Sequence, residues 1–157
     1  MVSLKNKKGF TIVELLIVIV VIGILATLVI VTFTGIQQKG RNSQRQTDIN
    51  AVQSHVESFY AQHGFYPALG DMNNAAFVQK YMKGLDPEAL KDPKGSASTL
   101  ANAAAASVYS YVTEGTCTAQ TGSPLPDEPT QATGSDCTGY TLTATLEPSG
   151  TYIKKSN

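Results

Sequence analysis

The chain has no tryptophan, no Asn-x-Ser/Thr sequon, two cysteines, and no charged residue between Glu14 and Lys39. No glycine loop of phosphate-binding spacing is present, and its many serines have no triad context. His55 and His63 lie eight residues apart with no acidic or cysteine partner at ligand spacing, which reads as core, surface or helix-end histidine rather than a metal site. These absences point away from an enzyme. The segment from Gly64 onward has six lysines against nine acidic residues, which argues against a nucleic-acid-binding face.

The missing charge is the most informative absence. From Leu15 the chain runs 24 residues without a charge. At about 1.5 Å per helical residue that is about 36 Å, enough to cross a hydrocarbon core of about 30 Å. The run is rich in Val and Ile, which favour strands in water, but it is too long for a strand, and a helix in lipid satisfies its own backbone. Glu14 is the anomaly, because a carboxylate in such a segment costs on the order of 3 kcal/mol, less near the interface. A partner could be manufactured. Cleavage between Gly9 and Phe10 would create an α-amino group four residues from Glu14, and that cation on one chain could pair with Glu14 of the next. The pattern suggests a chain built to line up with copies of itself.

Lys8-Gly9-Phe10-Thr11-Ile12-Val13-Glu14-Leu15-Leu16 resembles the N-terminal signature of type IV pilins and the related pseudopilins. The resemblance implies a leader, residues 1–9, removed by a prepilin peptidase after Gly9, N-methylation of Phe10, and Glu14 as the assembly glutamate. It also implies a platform membrane protein and a cytoplasmic assembly ATPase as partners. The product would be a homopolymer whose precursor spans the cytoplasmic membrane once. Many relatives carry a proline partway along this helix that melts it in the fibre. This chain has Val and Thr there, leaving Gly23 and Gly35 as weaker candidates for bending. Lysines precede the apolar run (Lys5, Lys7, Lys8), and Lys39, Arg41 and Arg45 follow it, so the positive-inside rule alone does not orient it. Cys117 and Cys137, an even pair in a loop-rich segment, read as a disulfide and so place the head outside the cell's reducing interior.

The expected fold is α+β. A pilin-like lollipop has a long N-terminal α-helix, hydrophobic in its first half, packed on a small antiparallel β-sheet of about three strands. Its parts are the leader (1–9), a transmembrane or fibre-core helix (10–36), an amphipathic continuation (37–63) and a globular head (64–157). In the continuation, Ile49, Val52, Val56, Phe59 and Tyr60 form one stripe, with Asn50, Gln53, Ser54 and Glu57 opposite. The polar segment 37–47 has two readings: a solvated face beside lipid headgroups, or a cationic ring for acidic groups on neighbouring subunits. Gly64 should cap the helix, with Phe65 and Tyr66 packing back onto it ahead of Pro67. One or two short helices are expected between Asp71 and Lys91. Strands are expected at 108–113, 139–147 and 151–154. The Asp92-Pro93-Lys94-Gly95 turn resembles that of pseudopilins, with Lys94 in place of an aromatic. The Ala/Ser-rich segment 96–107 reads as a loop or short helix. The Pro/Thr/Ser/Gly-rich loop between the cysteines has no core of its own.

No cofactor is expected. The one ion the resemblance raises is calcium, at Asp92, Asp127, Glu128 and Asp136, whose spacing matches no EF-hand loop. The favoured function is a pilus subunit serving attachment, motility or DNA uptake. Alternatives are a pseudopilin of a secretion or DNA-uptake system, or a monomeric membrane-anchored binding protein.

Overall fold

The computed structural model describes residues 9–122 and 125–156. The leader lysines Lys5, Lys7 and Lys8 lie outside the described residues. The chain divides into two compact units, one ending at Gln38 and the other beginning at Lys39. Helix α1, Ile12–His63, supplies all the regular structure of the first unit and continues into the second. It passes Gly23 and Gly35 without a break, as a stretch with no proline can. In the first unit its large apolar side chains, from Ile12 to Ile36, are all exposed. The helix is long and apolar enough to cross a membrane.

In the second unit α1 is one-sided. Ile49, Val52, Val56 and Phe59 are buried, and they face a three-stranded antiparallel sheet in the order β1 (Ser110–Glu114), β2 (Gly139–Thr145), β3 (Thr151–Lys155). Pairing Tyr111 with Leu142 and Ala144 with Tyr152 puts the inward side chains in register. Each strand lies within two residues of its expected place at either end. Gly64, with φ +79°, donates its N–H to Tyr60 O at 2.7 Å and ends the helix. Phe65 then packs on Phe59 with ring centroids 5.4 Å apart, and Tyr66 stacks on Tyr60 at 4.3 Å.

Two short helices follow, α2 (Leu69–Met72) and α3 (Ala75–Tyr81), then a 3-10 turn at Pro87–Leu90 capped by Asp86. The Ala/Ser-rich segment forms no helix. Its Ala101 instead exchanges backbone hydrogen bonds with Tyr109 and Tyr111 beside β1.

Tyrosine replaces tryptophan as the large core residue, and that choice changes the role expected for the polar face of α1. Asp48, Asn50 and Glu57 accept hydrogen bonds from Tyr109 (2.8 Å), Tyr152 (3.0 Å) and Tyr140 (2.7 Å). Asn50 and Glu57, expected opposite the packed stripe, therefore flank it and anchor the sheet, while Ser54 bonds back to Asn50 O on its own helix. Burial beside Glu57 pushes the Tyr66 hydroxyl up to about 12, so it stays a donor.

Cys117 and Cys137 are joined by a disulfide, with Cα atoms 4.9 Å apart. The neck below it is already paired: Asp136 N donates to Thr116 O and Thr138 N to Glu114 O. Beyond the neck, the loop is fastened to the core at Leu125, which is buried, and at Gln120, whose N–H donates to buried Asp71 at 2.6 Å. The bridge closes a segment of 20 residues, for which chain entropy gives roughly 3 kcal/mol. The double variant C117S/C137S is expected to lose about that much unfolding free energy in urea titration. A loss under about 1 kcal/mol would show that the paired neck suffices.

Candidate functional site

Phe10 and Glu14 sit at the start of α1, and both are exposed. Thr11 caps the helix. Its Oγ1 accepts from Glu14 N–H at 3.2 Å, while Glu14 Oε2 accepts from Thr11 N–H and from Thr11 Oγ1–H, both at 2.8 Å. This is a capping box. Its Thr-x-x-Glu spacing is a local sequence signal, and it gives Glu14 an intramolecular role beside the intermolecular one the resemblance implies. The carboxylate lies where the helix dipole favours an anion. Oε2 is engaged twice, and Oε1 accepts nothing among the described residues. Phe10, Glu14, Leu15, Ile17 and Val18 line one shallow apolar depression.

The cations after the apolar run behave differently. Arg45, in the segment expected to be solvated, is 1% exposed. Its guanidinium grips Asp92 with Nε–Oδ2 at 2.6 Å and Nη2–Oδ1 at 3.0 Å, and reaches Glu147 Oε1 at 2.9 Å. Arg41 forms a second fork on Glu147, at 2.9 and 2.6 Å, and Lys94 lies 3.2 Å from the same carboxylate. Asn42 exchanges two hydrogen bonds with the Glu147 backbone. Both readings of segment 37–47 are corrected for Arg41 and Arg45. They are neither free for solvent nor reserved for a neighbour, because acids from the Asp92 turn and the β2–β3 connection occupy them. No local pattern marks Glu147, 102 residues from Arg45, as their partner.

The four acids named for calcium do not converge. Asp92 is spent on Arg45 and on Lys94 N–H, Asp127 lies 3.2 Å from Lys80, and Glu128 lies 3.8 Å from His63. Among the described residues, no three His, Cys, Asp or Glu side chains are grouped to hold a metal. His55 and His63 border one polar cleft with Lys80, Lys83, Asp127 and Glu128. His55 Nδ1 lies 3.0 Å from Ala51 O of its own helix.

A family profile described as "Prokaryotic N-terminal methylation motif" matches residues 4–30. The chain is 32% identical over 76 residues to type II secretion system core protein G of Dickeya chrysanthemi, covering 48% of this chain and 49% of that one. It is 36% identical over 61 residues to type IV major pilin protein PilA of Myxococcus xanthus, covering 39% and 28%. A ComG operon protein 3 homolog of Bacillus licheniformis is 30% identical over 93 residues, covering 59% of this chain and 96% of that protein. The chain thus spans about half the length of the first of these relatives. No solved structure shows significant similarity to it.

Removing Arg45 strands Asp92 in the interior, so Arg45→Ala is expected to cost about 3–5 kcal/mol of unfolding free energy. The pH dependence has a fixed sign. The Arg41 fork, with Arg45 and Lys94, holds the Glu147 carboxyl well below its usual value of 4.5. Its contribution is complete above about pH 4.5 and is lost as pH falls below that. Burial raises Asp48 and Asp71 and acts in the opposite sense. Comparison with Glu147→Gln isolates the one group: the stability gap between wild type and variant should be widest near neutral pH and shrink steadily below about pH 4.5. A gap independent of pH would mean that Glu147 is not held by charge.

Proposed function

The chain belongs to the family of type IV pilins and pseudopilins, and from that premise we propose that it is the structural subunit of a helical filament, a type IV pilus. The observation that carries the reading is the first unit of α1, whose large apolar side chains from Ile12 to Ile36 are all exposed among the described residues, with Glu14 as its one carboxylate. In the precursor the bilayer is the solvent for this surface. After cleavage between Gly9 and Phe10, helices of neighbouring copies replace lipid, and the new Phe10 amine of one copy pairs with the Glu14 carboxylate of another.

The capping box favours this step. It holds Oε2 against two neutral donors of Thr11 and leaves Oε1 for a cation. A prepilin peptidase, a platform protein and an assembly ATPase are the machinery this reading requires. The filament would then serve surface attachment, motility or DNA uptake.

A second reading has a specific observation behind it. Most of the relatives are named type II secretion system core protein G, which favours a pseudopilus subunit that stays within the cell envelope. The disulfide-bounded loop and the Ala/Ser-rich segment favour the surface pilus. Electron microscopy of sheared surface material separates the two.

Glu14→Val is expected to stay in the membrane fraction and to abolish filaments. Normal filaments from this variant would end the proposal, as would intact-mass measurement of the cellular protein retaining residues 1–9. The expected mass lacks those residues, gains one methyl group and lacks two hydrogens for the disulfide.

A further inference from the structure

Charge is sorted along the second unit in a way that neither the fold nor Glu14 uses. Lys39, Arg41, Arg45 and Lys94 gather where α1 enters the unit. Asp92, Glu147 and the neighbouring Asp48 answer three of these four, leaving a surplus of one positive charge, carried at the surface by Lys39 and Lys94. Lys39 is exposed and has no ion pair among the described residues, and Lys94 is half-exposed.

The opposite sign collects in the disulfide-bounded loop. From Gly95 to Ile153 the sequence has no lysine or arginine, and the loop carries Asp127, Glu128 and Asp136. Asp127 is fully exposed and Glu128 nearly so. Lys80 is taken up by Leu125 O and Asp127, and Lys83 borders the same cleft. Glu128 and Asp136 have no lysine or arginine partner among the described residues.

Within one copy these two regions cannot meet. The basic cluster is fixed to α1 at Arg41, and the acidic loop touches α1 at His63 through Glu128. They are 22 helical residues apart, which at 1.5 Å per residue is about 33 Å. We propose that Lys39 and Lys94, the outward-facing members of this cluster, receive the acidic loop of another copy of this chain. Such a contact joins different patches on the two partners. It is therefore heterologous, and where the rotation does not close it builds an open filament. Exposed charges of this kind set encounter rate and register more than raw affinity, and salt screens them. The inference rests on the filament reading and names the charged contact between heads that this reading leaves open.

The test is a zero-length carbodiimide crosslink on the full chain in cells with its assembly machinery, followed by peptide mass spectrometry. The reagent joins an amine to a carboxylate only in contact. A link from Lys39 or Lys94 to Asp127 or Glu128 therefore reports two copies. That link is expected in sheared filaments. The variant D127K/E128K should lose it and lower filament yield at least tenfold at low salt. Glu88→Lys, reversing an exposed acid outside the loop, should change neither. Crosslinks confined to other lysine–acid pairs, or D127K/E128K filaments at wild-type yield, would overturn the contact. The same link found in membranes that yield no filaments supports the contact and counts against the filament reading alone.

Discussion

Helix α1 has to satisfy two different solvents, and the rest of the structure follows from how it does so. From Ile12 to Ile36 its large side chains are apolar and, among the described residues, all exposed. In water, each such side chain left exposed forgoes about 1.5–3 kcal/mol of burial. Summed over this many residues, the penalty cannot be borne by a small domain whose net stability is on the order of 5–15 kcal/mol. The surface must therefore lie in lipid or against other helices. Beyond Lys39 the same helix carries one apolar stripe, which the chain's own sheet covers.

A second unit of this size has little apolar area to spend, and its composition shows how it compensates. Tyr66, Tyr109, Tyr111 and Tyr140 bring large rings into the core, each with a hydroxyl that must find an acceptor. Asp48, Glu57 and the Pro67 carbonyl supply those acceptors. The sheet is thus registered on the helix by hydrogen bonds as well as by contact area. The ion cluster around Arg45 makes a third tie between α1, the Asp92 turn and the β2–β3 connection. Because Arg45 and Asp92 are both buried, each makes the other obligatory.

Much of this was legible in the sequence where the signal is local. The charge-free run, the stripe from Ile49 to Phe59, the Gly64 stop and the alternation in the three strands each depend on neighbours within a few residues and appear where periodicity places them, whereas Tyr60, expected on the same stripe, is exposed and stacks on Tyr66. What was not legible depends on residues far apart. Arg45 looks like any polar residue on a solvated helix face until Asp92, 47 positions on, and Glu147 fold against it. Asn50 and Glu57 lie opposite the stripe by periodicity, and only their distant tyrosine partners, Tyr152 and Tyr140, draw them to the sheet. The Thr11–Glu14 capping box is the exception. It is a local signal, Thr-x-x-Glu at a helix start, that needs no distant partner.

Two glutamates in one chain show how context assigns a role. Glu147 is met by Arg41, Arg45 and Lys94, with Asn42 holding its backbone, so its charge is consumed within the fold. Glu14 is met only by its own helix start, which engages one carboxylate oxygen with two neutral donors and leaves the other. Neutral donors make a carboxylate tolerable at a helix terminus without cancelling its charge. Moved into an apolar surrounding, that residual charge still needs a cation. The nearest charged side chain in the sequence is Lys8, and the next beyond Glu14 is Lys39. Under the proposed cleavage after Gly9, the new chain end at Phe10 would supply a cation at this depth. Thr11 already occupies Oε2, so such a cation would meet the remaining oxygen, Oε1.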